Sequence, residues 1–293
     1  MKCFETFCYR SIPCDKHLTE IEGWEFGTFL YSKNETTIIR VKRKEDTCYN
    51  WVIKCMEVTD DNEITHIPLI TNIIHSVEFP KDLPYYGTIR NISWYVMKYY
   101  PRICNTRTDQ SDFHLIIKTC LEFIRDLHTK TGYLYMDWRL DNILKKQENG
   151  FVVADYEFLE KPAISTTTLI EDYIDNKDFI YYFLQRGANL DKPLYRYRFD
   201  LESIGSLAIE FLTEHDPPLW FIQCHKIRQK KLSIPLDTIL TDRNLYKDEF
   251  LKTSPILQLY FQKIQECSWD TLDCMSTEWY DQLICIFEAI DAI

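Results

Sequence analysis

The sequence predicts an α+β chain, stranded first and helical afterwards, and three observations carry that prediction. Runs of β-branched and aromatic residues, separated by polar turns, fill Ile21 to Met56. From residue 111 onward the apolar residues recur mainly at helical spacing. Within that second part, Tyr133 to Leu144 and Phe151 to Phe158 are two short apolar segments around a turn at Gln147-Glu-Asn-Gly150, with carboxylates where apolar chain meets polar.

Size and charge bound the rest. At 293 residues and 45% apolar content the chain can bury a large core, in one two-lobed domain or two small ones. A net charge of -11 argues against nucleic acid and anionic membranes, and favours a protein substrate or partner of basic character. No apolar run reaches the ~18 residues needed to span a bilayer, and Met1-Lys-Cys-Phe lacks a signal peptide's apolar core, so an intracellular location, cytoplasm or nucleus, is expected. Eleven cysteines include no C-x-x-C pair. The densest group, Cys3, Cys8 and Cys14 with His17, matches no standard zinc spacing, so free thiols in a reducing compartment are expected.

In order, residues 1–20 carry no period and read as an N-terminal extension. Strands are expected at Trp24 to Tyr31, Thr36 to Val41 and Tyr49 to Met56. Residues 63–77 carry a helical stripe of Leu69, Ile70, Ile73, Ile74 and Val77. Ile92 to Tyr100 is a strand running into a linker. Residues 111–129 give the clearest amphipathic helix, with Phe113, Ile116, Ile117, Cys120, Leu121, Phe123, Ile124 and Leu127 on one face. The stretch between Asp155 and Asp200, with Ser165-Thr-Thr-Thr168, is too long for a plain connection. A helix then opens near Asp200-Leu-Glu-Ser-Ile-Gly205 and runs to Leu212, before Pro217-Pro218, and amphipathic runs recur near 254–266 and 278–290.

The two loops around that central turn carry chemistry. Asp137, followed after four residues by Asn142, and then Asp155 at the end of a Val-Val-Ala strand, are the groups phosphoryl transfer needs: one carboxylate for the attacking hydroxyl, a second with an amide oxygen for Mg2+. Alone, the same residues describe an ordinary hairpin with solvated carboxylates.

Tyr135-Met136-Asp137-Trp-Arg-Leu-Asp-Asn142 resembles the H-R-D-x-x-x-x-N catalytic loop of the protein-kinase superfamily, and Asp155-Tyr156-Glu157 its D-F-G. The Asp200-Leu-Glu-Ser-Ile-Gly205 run resembles the casein kinase 1 group, including the vaccinia-related kinases, where that aspartate holds the catalytic-loop backbone from beneath. The resemblance covers roughly 21 to 290. It implies a bilobal protein kinase-like fold: an extension at 1–20, an N-lobe of antiparallel sheet plus one helix at 21–98, and a mainly helical C-lobe at 99–293.

The resemblance also implies roles. Asp137 orients the substrate hydroxyl and accepts its proton, Arg139 stabilises the transferring phosphoryl group in place of lysine, and Asn142 and Asp155 hold Mg2+. Lys54 orients ATP, while Gly23, Gly27, Met97, Lys98, Tyr100 and Leu144 join it in binding the nucleotide. The chain departs from the pattern at Glu22 and Trp24, which fall on loop glycines and would crowd the phosphates, at Pro68, which replaces the lysine's glutamate partner unless Glu57 or Glu63 substitutes, and at Glu157, which replaces the D-F-G glycine. Met136 removes the arginine that receives an activation-segment phosphate.

Three functions follow as expectations: a divergent serine/threonine protein kinase transferring the γ-phosphate of ATP, a catalytically impaired pseudokinase acting as an interaction scaffold, or a small-molecule kinase of the choline and aminoglycoside kinase type. A viral member of the group would work inside its host cell.

Overall fold

The computed structural model describes residues 21–33, 36–57, 86–89, 92–104, 109–146, 150–156, 158–162, 183–185, 188, 192–213, 219–228, 233–270 and 275–288. The extension with Cys3, Cys8, Cys14 and His17, the helix expected at 63–77 with Glu63 and Pro68, Glu157 and the Ser165–Thr168 run lie outside those residues. The chain divides into two compact units, Met1–Tyr99 and Tyr100–Ile293, one residue beyond the division expected after Lys98.

The described residues of the first unit form an antiparallel sheet of five strands: β1 (Trp24–Lys33), β2 (Thr36–Arg43), β3 (Trp51–Glu57), β4 (Tyr86–Ile89) and β5 (Ile92–Lys98), in the order β1-β2-β3-β5-β4. Alternation builds β2, where Thr37, Ile39 and Val41 are buried and their neighbours are not. The inner strands β3 and β5 instead bury consecutive residues, Val52 to Cys55 and Ile92 to Val96. Two expectations need correcting. Trp24 does not crowd a phosphate site: it is 3% exposed, packed in the core with Ile39, Val41 and Trp94 and edge-on to Trp51 at 6.1 Å. The third strand starts at Trp51 rather than Tyr49, because the Tyr49 hydroxyl donates to Glu25 Oε1 at 2.8 Å and its ring lies against Gly27.

In the second unit, α1 (Phe113–Thr131) follows a 3-10 turn at Gln110–Asp112 and buries the whole expected stripe. Each such side chain contributes on the order of 1.5–3 kcal/mol relative to exposure. Gly132 ends the helix at φ 68°, and its N–H closes on the carbonyls of Leu127 and His128. A small sheet joins β6 (Arg102–Ile103), β7 (Ile143–Lys145) and β8 (Phe151–Val153), so the expected turn is a β7–β8 hairpin. Further helices among the described residues are α2 (Tyr197–Leu212), α3 (Leu219–Arg228), α4 (Leu236–Thr253), α5 (Pro255–Ile264) and α6 (Thr277–Glu288). Helix α1 packs on α6, α2 and β8, and α2 packs on α5. No described helix is long and apolar enough to cross a membrane, and the described cysteines are all free thiols.

Candidate functional site

The site is two loops stitched side by side in the second unit. At one end Leu134 and Glu160 exchange backbone hydrogen bonds of 2.7 and 3.1 Å. At the other, the hairpin pairs Ile143 with Val153 and Leu144 with Val152. Between them the Asn142 carbonyl accepts the Ala154 N–H at 2.8 Å, and the Tyr135 hydroxyl donates to the Ala154 carbonyl. The peptide units immediately before Asp155 are therefore fixed by the loop that carries Asp137.

Asn142 joins the loops through its side chain as well. Its Nδ2 donates to Asp137 Oδ2 at 2.6 Å and to the Asp137 carbonyl at 2.9 Å. With the nitrogen turned to Asp137, the amide oxygen is the atom Asn142 can offer a cation. Asp137 is 2% exposed, and Arg139 Nε stands 3.7 Å from its Oδ2, with the Arg139 side chain partly in solvent. Burial pushes the Tyr135 phenol well above its ordinary pKa, and the Asp137 and Asp155 carboxylates add to that push. Both acids thus lie within electrostatic reach of one buried hydroxyl.

Two backbone positions in these loops are strained. Met136 has φ 67° and Asp155 φ 66°, the left-handed region. Aspartate enters it more readily than most residues, whereas methionine there costs roughly 1–2 kcal/mol. Strain of this kind persists where surrounding contacts over-determine it, and it clusters at functional sites.

The contacts that hold Met136 come from Asp200, near the start of α2 and 0% exposed. Its Oδ2 accepts the Tyr135 N–H at 2.8 Å and meets His128 Nε2 at 3.0 Å. Its Oδ1 accepts the Met136 N–H at 3.0 Å and the Trp138 indole N–H at 2.8 Å. A carboxylate only accepts, so His128 carries its proton on Nε2, and the Tyr280 hydroxyl donates to Nδ1. Burial holds the His128 pKa below its ordinary value, which agrees with a neutral ring. Around the loop, Phe123 of α1 packs on Tyr135 at 5.2 Å, Trp138 at 5.9 Å and Tyr156 at 6.0 Å, so the aromatic residues at 135 and 156 serve the core.

The chain matches no protein-family model and no curated protein. Geometry within each unit therefore carries the functional case.

The structure brings Asp137, Arg139, Asn142 and Asp155 together in the second unit, with Leu144 on β7 and Tyr100 in the same unit. Gly23, Gly27, Lys54, Met97 and Lys98 belong to the first. Lys54 is 4% exposed on β3, in register between Ile38 and Tyr95. Gly23 turns the chain at φ 88°, while a Cβ at Gly27 would meet the Tyr49 ring at 2.6 Å, so packing as well as any ligand asks for glycine there. Met97 and Lys98 pair with Val52 and Trp51 at the end of β5. Sequence reasoning missed His128, Trp138 and Tyr280. His128 had one signal, a polar residue continuing the apolar face of α1, while Trp138 read only as a spacer and Tyr280 gave none.

For Mg2+, the donor set fits: the Asp155 carboxylate and the Asn142 amide oxygen are hard oxygen ligands, and this ion is commonly held by one or two such groups together with phosphates and water. Among the described residues no group of three His, Cys, Asp or Glu forms a separate metal centre.

Proposed function

We propose that this chain is a divergent, two-lobed protein kinase-like phosphotransferase that moves the γ-phosphate of ATP to a protein serine or threonine. The observation that carries the proposal is the Asp200 anchor: one buried carboxylate accepts the Tyr135 and Met136 amides, which is the role the resemblance assigned to that aspartate, directly beneath Asp137. The sheet order β1-β2-β3-β5-β4 with Lys54 on a central strand, and the mainly helical second unit, agree with the same reading.

In this mechanism Asp137 accepts the hydroxyl proton, and Asn142 keeps its carboxylate aimed by the 2.6 Å bond to Oδ2. Arg139 offers a cation beside that carboxylate for the charge on the transferring group. Asn142 and Asp155 would hold Mg2+, which when bound neutralises phosphate charge. Following the resemblance, Lys54 would orient the nucleotide phosphates, and Gly23, Gly27, Met97, Lys98, Tyr100 and Leu144 are the other residues it assigns to the nucleotide. A protein substrate of basic character fits the net charge of -11.

Thermal unfolding with Mg-ATP tests the proposal. Nucleotide at ~100 times its dissociation constant adds ~2.7 kcal/mol, and Asp155→Asn removes the Mg-dependent part. Asp137→Asn keeps the shift and loses phosphate transfer to a basic serine- and threonine-containing protein such as histone. Transfer that survives Asp137→Asn refutes the base, and no shift at millimolar nucleotide favours the scaffold function instead.

A further inference from the structure

We propose that Trp138 and Tyr280 are positioning residues that fix Asp137 from the buried side of the fold; the catalytic part of this inference rests on the base assigned above. Met136 and Trp138 flank Asp137 in the chain, and both donate to the same oxygen of Asp200: the Met136 amide at 3.0 Å, the Trp138 indole at 2.8 Å. Asp137 is therefore the middle residue of a short clamp closed on one atom. A single bond on one side would let the backbone pivot about Met136, whose left-handed φ of 67° is the strained alternative to an extended one. The second bond, from a side chain 1% exposed and packed edge-on to Tyr135 at 4.7 Å, removes that freedom.

Behind the clamp stands a second pair. In the neutral ring, His128 donates to Asp200 Oδ2 from Nε2 while Nδ1 accepts from the Tyr280 hydroxyl, so Tyr280 favours the tautomer that holds Asp200 toward the loop. Tyr280 is 0% exposed on α6, distant in sequence from the loop it serves. The order Tyr280, His128, Asp200, Trp138 makes a continuous buried chain of donors and acceptors ending beside Asp137. None of its links uses the phosphate-accepting arginine that Met136 replaces, so the loop is set by the core itself.

Trp138→Phe and Tyr280→Phe keep the rings and delete one donor each. Hydrogen exchange of the 133–142 segment reads positioning whether or not the protein is active. Its protection should fall roughly 2- to 12-fold in both variants, the factor one lost hydrogen bond is worth, with α4 unchanged. In transfer to histone, kcat should fall by a similar factor while KM for ATP stays within about twofold. Unchanged loop exchange in both variants overturns the inference. Wild-type protein that neither binds nucleotide nor transfers phosphate defeats the proposed function instead, and the exchange result still decides the clamp. If Trp138→Phe fails to fold, Tyr280→Phe carries the same measurements.

Discussion

Replacing Asp200 by asparagine changes one atom and should cost several kcal/mol. The oxygen that keeps its place still accepts the Met136 amide and the Trp138 indole, now as neutral rather than charge-assisted bonds, a loss of about 1 kcal/mol each. The new amide nitrogen faces the Tyr135 N–H and His128 Nε2. His128 can answer by moving its proton to Nδ1 and donating to Tyr280, but the Tyr135 N–H has no second acceptor. One orphaned buried donor costs roughly 1–3 kcal/mol, so the total is roughly 3–5 kcal/mol. Asp200→Ala orphans the Tyr135, Met136 and Trp138 donors together, roughly 3–9 kcal/mol, against a typical whole-domain stability of about 5–15 kcal/mol. Urea unfolding followed by circular dichroism measures both. An asparagine variant within about 0.5 kcal/mol of wild type would refute the anchoring role of Asp200, since changes that small are typical of unconstrained surface positions.

Two further outcomes are expected. Gly205→Ala should destabilise by about 1–3 kcal/mol in the same urea assay, because its Cβ would lie 2.8 Å from Phe261 Cε1 and 3.0 Å from Tyr260 Cε1, and the Tyr260 hydroxyl is fixed to the Leu201 carbonyl at 2.6 Å. Stability should also fall with acid through His128, whose pKa burial lowers against the opposing pull of Asp200. The unfolded chain takes up that proton first, so the contribution is full above about pH 6.5 and is lost as pH falls through the folded pKa. Urea midpoints between about pH 7.5 and 5 should drop more steeply in wild type than in His128→Gln.

Local periodicity made much of the architecture legible. The helix over 113–131 buries every apolar residue its spacing predicts, and the β7–β8 hairpin forms where two apolar segments meet around Gly150. Helix α4 was not legible: of its residues Ile239 and Arg243 are buried, too few to mark a face. Strand β4 escaped because Tyr86-Gly-Thr-Ile is short, and its Gly87 is explained only by Trp94 across the sheet, 2.9 Å from where a Cβ would stand. Trp24 misled because alignment with a loop glycine says nothing about direction, and an aromatic residue on a strand gains more from the core than from solvent.

By itself the sequence determined which acids could matter, since a carboxylate, an amide and a second carboxylate at those separations are chemical types that spacing can display. What only the tertiary structure decided is how they are held. The Asp200 motif already implied an anchor beneath the loop, but His128, Trp138 and Tyr280, which complete it, come from three other places in the chain, and their hydrogen bonding depends on distances of about 3 Å that no local pattern encodes.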